Sequence, residues 1–305
     1  MKRVYGFNEG GKELIDILGG KGGNLAEMKR IGLPIPEGII VSTTACKEFF
    51  RDGKKITPEL EKEILEKLEY LQEVTGKKFE GDNPLLVSVR SGAPISMPGM
   101  MDTILNLGLN DITAEKMSKI FNDEIFVHEL YARFIQMFSE IVMGIEKELF
   151  FSLKEKLFAE RKDEPKIETY KLVIKKSKEL YKEKTGLDFP ESAKEQLFMA
   201  VNAIFNSWEN DRAILYRKIN GIDDSMGTAV VIQEMVFGNR NDKSGTGVAF
   251  SRNPSNGENE LFGEYLLKAQ GEDIVAGIRT PEPIARLHEQ LPEIYDEFAR
   301  LAKVL

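Results

Sequence analysis

The sequence predicts an α+β fold in which two strand-containing lobes flank an all-helical insert. Short apolar runs of the kind that form buried strands occur before residue 112 and after residue 198. Between them the chain is rich in Lys and Glu and carries apolar residues at helical spacing, as at Phe134, Met137 and Phe138. A length of 305 residues suits about two domains. The expected divisions are a first lobe of residues 1–111 and 199–242, a helical insert of residues 112–198, and a second lobe of residues 243–305.

Composition and charge restrict the kinds of partner. Charged residues make up 30% of the chain, but the net charge is −8 and no basic block occurs, so we expect no nucleic-acid partner. No apolar run reaches the length of a membrane span or of a signal-peptide core, so we expect no membrane partner either. Cys46 is the only cysteine, which excludes a disulfide within the chain and favours a reducing compartment. We therefore expect a cytoplasmic protein.

The first lobe opens with an apolar strand at residues 4–8, followed by a glycine-rich stretch that places one lysine, Lys21, ahead of a helix. Glycines and an ammonium group at a helix N-terminus favour an anion site. The same residues also fit a plain glycine turn with a solvated lysine, and their spacing is not that of a Walker A loop. Residues 39–42 are predicted to form a strand, and Thr57 with Pro58 opens a long helix.

The segment from residue 85 to residue 108 organises this lobe. A buried strand at residues 85–89 ends at a single cation, Arg90, and a second apolar run follows at residues 104–107. The connection, residues 91–103, contains two Gly, two Pro, two Ser and three Met. Glycine permits close approach of the backbone to a ligand, hydroxyl and N–H groups suit phosphate oxygens, and Arg offers a fork of donors. We interpret the connection as a mobile phosphate-covering loop, although a long strand connection with methionines in the core fits equally well.

After the insert the pattern returns to strands. Residues 227–238 are predicted to form a strand that ends at a hinge. Gly245, Thr246 and Gly247 then lead into another strand, and this step either brings N–H groups close to a phosphate or forms a tight β-turn. Residues 283–305 are predicted to form one helix with apolar residues along one face.

Several long motifs make the chain recognisable. They are GGKGGNLAEMKRIGLPIPEGIIVST near the start, VRSGAPISMPGMMDTILNLGLND in the central segment, ELYARFIQMF in the insert, and SGTGVAFSRNPSNGE with GEYLLKAQGEDIVAGIRTPEPI near the end. In these motifs the chain resembles the N-terminal nucleotide-binding part of the pyruvate, phosphate dikinase family, a divergent ATP-grasp module. The resemblance covers essentially the whole chain and implies ATP-grasp-like lobes around the helical insert.

The resemblance also implies roles for single residues. Arg90 is implied as the catalytic cation and, together with Lys21, as a phosphate clamp beneath a loop that closes over the nucleotide. The nucleotide contacts so implied are Lys21, Arg90, Gly99, Asp102, Thr103, Arg133, Gln233, Glu234, Val236, Thr246, Gly247 and Glu272. The acids Glu264, Glu272 and Asp273 suit magnesium or are simply solvated, so we assign no metal ligand.

The function that the resemblance implies is the interconversion of ATP, phosphate and pyruvate with AMP, diphosphate and phosphoenolpyruvate through a phosphohistidine. The expected cofactor is Mg²⁺ with ATP, and the expected partners are the phosphohistidine and pyruvate-binding domains and a second copy of the whole enzyme. One alternative is the same portion of phosphoenolpyruvate synthase, which uses water in place of phosphate. Another is a non-catalytic binding module that docks a partner through the helical insert.

The C-terminal stretch and the two histidines bear on activity. In the family, further strands carry an acidic metal-binding pair, a glutamine and an arginine, and these motifs do not occur in this sequence. Neither His128 nor His288 stands in a motif like the phosphohistidine loop. We therefore expect an N-terminal fragment with an incomplete second lobe, with most metal ligands outside the chain and no turnover on its own.

Overall fold

An antiparallel sheet organises the first part of the chain. Its strands are β1 (Val4–Gly6), β2 (Gly38–Val41), β3 (Val87–Gly92), β4 (Thr103–Leu107) and β5 (Ala229–Glu234). They pair in the order β1-β2-β5-β3-β4, so that the strand farthest along the chain lies at the centre. All four residues of β2 are buried, as are the first five of β5, because helices cover both faces of the sheet. The strands predicted at 4–8, 39–42, 85–89, 104–107 and 227–238 therefore join one sheet.

The structure is a computed structural model that describes residues 2–275, 277 and 279–305, without the side chains of Glu272 and Val275. The chain separates into two compact units. The first unit comprises Met1–Arg30 and Pro34–Met235, and the second comprises Ile31–Leu33 and Val236–Leu305. The mixed α/β architecture with antiparallel sheets agrees with the predicted fold class at this level.

Helices of the first unit surround the sheet and fill the segment between β4 and β5. They are α1 (Ile15–Arg30), α2 (Thr43–Arg51), α3 (Pro58–Thr75), α4 (Asp111–Phe121), α5 (Glu124–Met143), α6 (Lys147–Glu160), α7 (Lys166–Thr185), α8 (Ala193–Asn206) and α9 (Asp211–Asn220). Thr57 caps α3 as predicted, because its hydroxyl accepts a hydrogen bond from the Leu60 N–H at 3.3 Å. Residues 112–198 contain helices and no strand, and no described helix is long and apolar enough to cross a membrane.

Aromatic packing holds the helical region together and fastens it to the sheet. The ring of Phe189 lies 5.4 Å from that of Phe138 on α5 and 5.3 Å from that of Tyr181 on α7. Such edge-on pairs add to the burial of the rings themselves. On the sheet side, the sulfur of Met137 accepts a hydrogen bond from the Leu105 N–H of β4 at 3.3 Å. Helix α5 therefore supports the strand that leads out of the central segment.

The second unit contains a small antiparallel sheet and short helices. Its elements are β6 (Gly245–Phe250), β7 (Phe262–Leu267), α10 (Gly271–Val275), β8 (Glu282–Pro283), α11 (Ala285–Gln290) and α12 (Pro292–Ala302). The strand order is β6-β7-β8. The single helix predicted for residues 283–305 is wrong: Leu291 has φ −140° and ψ 69° and separates α11 from α12. Pro292 causes this break, because a residue before proline is driven away from helical angles.

Candidate functional site

A cleft of about 590 Å³ opens in the first unit between the start of α1 and the connection from β3 to β4. Because β3 runs to Gly92 and β4 begins at Thr103, this connection is residues 93–102, hereafter the 93–102 loop. The residues lining the cleft are Ile15, Gly20, Lys21, Asn24, Ser91, Gly92, Ala93, Pro94, Ile95, Ser96, Met97, Pro98, Gly99, Met101 and Thr103. Of the predicted contacts, the structure therefore brings Lys21, Gly99 and Thr103 together around one space.

A break in α1 positions Lys21. The predicted glycine loop is instead part of the helix, interrupted at Gly19, where φ is +72° and ψ is 163°. A Cβ atom on Gly19 would lie 1.6 Å from the carbonyl oxygen of Gly92, so only glycine allows this approach. The next N–H, of Gly20, donates to the Ala93 carbonyl at 2.9 Å. The helix resumes at Gly20, and Lys21 lies in its first turn, directly beside the 93–102 loop.

The cleft carries positive charge from Lys21 and Arg90. The Lys21 side chain lines the cleft and is exposed to water there. Protein atoms close to its ammonium group and, to a smaller extent, the nearby Arg90 charge together lower the pKa of that group to about 8. Two cations that repel each other in a partly dry space favour an anionic ligand, because an anion relieves both effects at once.

Arg90 is held from the sheet side. It lies on β3, half-buried, opposite Thr103 of β4 and Val231 of β5. Its Nη2 donates to the Oε1 of Gln233, and the Gln233 Nε2 donates in turn to the Pro36 carbonyl at 3.0 Å. Gln233 is buried, with 4% of its surface exposed. Its side chain therefore orients the Arg90 guanidinium, a role that the sequence did not indicate.

The Asp102 carboxylate points to helix α9. The Arg212 Nη2 forms an ion pair with Asp102 Oδ1, and the Asn210 Nδ2 donates to Asp102 Oδ2 at 3.3 Å. The Arg212 Nε also donates to the carbonyl of Met100 at 3.1 Å. Asp102 thus fastens the 93–102 loop to α9. No local signal in the sequence separates Arg212 from an ordinary exposed arginine.

A larger groove of about 680 Å³ lies between α4, α5 and α7, and several of its charged residues are paired with each other. Lys178 forms ion pairs with Asp111 at 2.7 Å and Glu191 at 2.6 Å, and its ammonium lies 5.1 Å from the ring centroid of Tyr131. These contacts hold helices together. We therefore take the smaller cleft around Lys21 as the candidate site.

Comparison with known proteins identifies the family to which the chain belongs. Residues 52–300 match the family described as "Pyruvate phosphate dikinase, AMP/ATP-binding domain". The chain belongs to the pyruvate, phosphate dikinase family. It is 50% identical to pyruvate, phosphate dikinase of Clostridium symbiosum and 44% identical to pyruvate, phosphate dikinase of Rhizobium meliloti (strain 1021). It is 49% identical to the chloroplastic pyruvate, phosphate dikinase of Flaveria pringlei. Each match covers 100% of this chain and 36%, 36% and 33% of the relative, respectively, so the chain spans about a third of the relatives' length.

Two further contacts implied by the dikinase resemblance, Glu234 and Arg133, lie elsewhere in the first unit. Glu234 forms an ion pair with Lys77 at 2.8 Å, and its backbone N–H donates to the Glu37 carbonyl at 2.9 Å. Arg133 is half-buried on α5, one turn before Met137, and is not among the residues that line the cleft. Both the side chain and the backbone N–H of Glu234 are therefore engaged within the protein.

The second unit of this dikinase-family chain holds the other predicted contacts. Val236 is 66% exposed. Thr246 and Gly247 are strand residues of β6, opposite Leu266 and Tyr265 of β7, so the alternative of a tight β-turn is wrong. A Cβ on Gly247 would lie 2.7 Å from the Glu264 carbonyl oxygen, which explains the glycine. The side chain of Glu272 lies outside the described residues.

Proposed function

We propose that this chain binds Mg-ATP as the nucleotide-binding part of a pyruvate, phosphate dikinase, with lobes of the ATP-grasp type. One observation carries the proposal: Lys21 and the 93–102 loop line the same cleft, and Arg90, anchored to the sheet through Gln233, lies close to Lys21. The chain also belongs to this family. An ammonium group with a lowered pKa, a guanidinium fork and a glycine-containing loop are together suited to a polyphosphate.

In this proposal the chain contributes positioning and charge neutralisation. Phosphoryl transfer requires little covalent chemistry from a protein and depends on fixed geometry and on cations near the phosphate oxygens. Arg90, held by Gln233, would serve as the catalytic cation at the transferring phosphoryl group, and Lys21 would hold an adjacent phosphate. The loop from Gly99 to Thr103 would cover both and exclude water. Gln233, Glu234 and Val236 are proposed as neighbours of adenine, and Thr246, Gly247, Glu272 and Arg133 as further nucleotide contacts.

The Mg²⁺ that this proposal pairs with ATP has no evident protein ligands in the described part of the chain. No group of three or more His, Cys, Asp or Glu residues suited to a metal occurs among the described residues. Asp102, an acid of the 93–102 loop, is paired with Arg212. The residues that the structure describes therefore do not fit a protein-held metal, and we derive no step through one.

The whole reaction is proposed for the dikinase as it occurs with its other domains. There the ATP-binding part would pass a phosphoryl group to a histidine, and diphosphate, AMP and phosphoenolpyruvate would be the products. We expect the 305-residue chain to bind ATP without forming AMP, because His128 is engaged through Nδ1 with the Glu124 carbonyl at 2.8 Å on α5 and His288 packs against Tyr295 on α12. A cytoplasmic location and a homodimer of the whole enzyme stay part of this proposal.

Calorimetric titration with Mg-ATP tests the binding proposal. Wild-type chain should bind, and Arg90→Ala should weaken binding by about 1.5–3 kcal/mol, the range for a hydrogen bond to a charged group. Arg51→Ala, which removes an exposed arginine paired with its neighbour Asp52, is the matched control and should bind as the wild type does. Absence of wild-type binding, or equal loss in both variants, would contradict the proposal.

A further inference from the structure

The 93–102 loop packs against aromatic and apolar side chains centred on Trp208 and Ala213, here called the seat of the loop. Ala93 and Met97 pack against Trp208 and Ala213 in one buried cluster, and Met100 and Met101 pack against the same cluster. Trp208 is the only tryptophan of the chain and is 2% exposed. Met97 and Met101 also line the cleft, whereas Met100 does not. The loop therefore has one side toward the cleft and another toward Trp208.

A buried cation fixes Trp208 from the other side. The guanidinium carbon of Arg217 lies 4.1 Å from the indole ring centroid, and Arg217 is 1% exposed. Its Nη1 donates to the Trp208 carbonyl and its Nε donates to Asp224 at 2.6 Å. The indole Nε1–H donates to the Asp224 carbonyl at 3.1 Å. A buried guanidinium is costly unless it is fully engaged, so this network holds the indole in one orientation.

Polar contacts fasten the same loop at its end. Arg212 on α9 pairs with Asp102 and donates to the Met100 carbonyl at 3.1 Å. The loop is thus held by methionines on the seat and by Arg212 at its edge. Methionine is flexible and has a polarizable sulfur, so a methionine contact can break and re-form with little rearrangement of its neighbours.

We propose that Trp208, held by Arg217, is a positioning residue. It fixes the position of the 93–102 loop over the part of the cleft where the phosphates of ATP are proposed to bind. Trp208 lines no part of the cleft, so it acts through Met97, Met100 and Met101 and not by contact with a ligand. This inference rests on the proposed function, because it takes Mg-ATP as the ligand. It adds that the affinity for ATP depends on the seat under the loop as well as on the cations facing the phosphates.

Intrinsic fluorescence provides a direct test, because all tryptophan emission comes from Trp208. In the wild type, Mg-ATP should change the emission and its quenching by acrylamide, saturably and with the dissociation constant found by calorimetry. A tryptophan with a merely structural role would give no such titration. Met100→Ser should red-shift the emission of the free protein, raise acrylamide quenching, and weaken Mg-ATP binding about tenfold, since small misplacements of positioning groups have effects of this order or larger.

Met143→Ser, at the C-terminal end of α5, is the matched control for removal of a half-buried methionine and should leave emission and affinity unchanged. Both variants should keep the wild-type circular dichroism. If wild-type chain binds Mg-ATP but its emission does not respond, or if Met100→Ser binds within twofold of the wild type, the inference is overturned and the proposed function stands. Absence of wild-type binding in calorimetry would overturn both.

Discussion

Arg90 and Gln233 are joined across the sheet by a hydrogen bond from the guanidinium Nη2 to the amide Oε1. They lie on neighbouring strands, two positions apart in register, since Arg90 faces Val231 and Ser88 faces Gln233. The amide is in turn anchored to the Pro36 carbonyl at 3.0 Å. A residue 143 positions away in sequence thus decides where the Arg90 guanidinium points.

Gln233→Met should release Arg90. Methionine fills a similar volume but accepts no strong hydrogen bond from a guanidinium and leaves the Pro36 carbonyl without its donor. We expect the free energy of unfolding to fall by about 1–3 kcal/mol and Mg-ATP binding to weaken by a similar amount. Urea denaturation and calorimetry measure the two quantities. Affinity within twofold of the wild type would show that Arg90 needs no orientation by Gln233.

Lys21 predicts a pH dependence of both stability and binding. Its pKa is about 8 in the folded chain and has an ordinary value of 10.5, so between these values the unfolded chain holds more protons. Stability therefore rises with pH across this window on account of Lys21. Lys21→Met removes this contribution. Relative to the wild type, the variant should therefore be more stable below pH 8, and this advantage should shrink as the pH rises toward 10.5. Urea denaturation at several pH values measures it.

The affinity for Mg-ATP should also depend on the protonation of Lys21, but it should fall as pH rises, whereas stability rises. A bound polyphosphate favours the charged ammonium and raises the Lys21 pKa, so the complex takes up protons near pH 8 and affinity falls as pH rises above that value. Calorimetry in two buffers of different ionisation enthalpy measures the proton uptake. Lys21→Met should abolish it; uptake of equal size in the variant would assign the protons to another group.

The features that the sequence predicted correctly are those that depend on residues close together in the chain. Apolar runs located β3, which carries Arg90, and its neighbour β4, and the Thr57-Pro58 pair located the start of α3. The sequence also placed Lys21 at a helix start, although the glycines proved to be helical apart from the break at Gly19. Patterns of this kind depend on neighbours along the chain, so one sequence contains them in full.

The side chains that hold the site residues in place could not be predicted from the sequence. Gln233 holds Arg90, and Arg212 holds Asp102, across 143 and 110 positions respectively. Such pairs follow from strand order and helix packing, which no local pattern specifies. Nothing local in the sequence indicates that Trp208 lies beneath the 93–102 loop, because its packing with Ala93 and Met97 joins residues far apart in the chain.

Gly19→Ala should disrupt the cleft. The substitution combines a left-handed φ with a Cβ placed 1.6 Å from the Gly92 carbonyl oxygen, so the backbone must move. We expect a loss of more than about 2 kcal/mol in unfolding free energy, together with loss of Mg-ATP binding. Gly76→Ala is the control, because Gly76 has φ +65° but nothing within 4 Å of its Cβ position. It should lose only about 1 kcal/mol and bind normally. Equal effects at both sites would show that close approach at Gly19 is unimportant.

Two buried glutamines should respond oppositely to the same substitution. Gln196 is fully buried and engaged: its Oε1 accepts from the Gly108 N–H at 3.0 Å, and its Nε2 donates to the carbonyls of Leu109 and Pro190. Gln270, in the second unit, is 4% exposed, and within the described part of the chain neither atom of its amide has a hydrogen-bond partner.

Gln196→Met should therefore lower the unfolding free energy by about 1–3 kcal/mol, because it leaves three backbone groups unpaired. Gln270→Met removes two unpaired polar atoms and should be neutral or stabilising in the free protein. Thermal and urea unfolding, followed by a probe in each unit, measure the two changes. A clear destabilisation by Gln270→Met would mean that its amide already has partners in solution, and calorimetry with Mg-ATP would then show whether those partners belong to the nucleotide site.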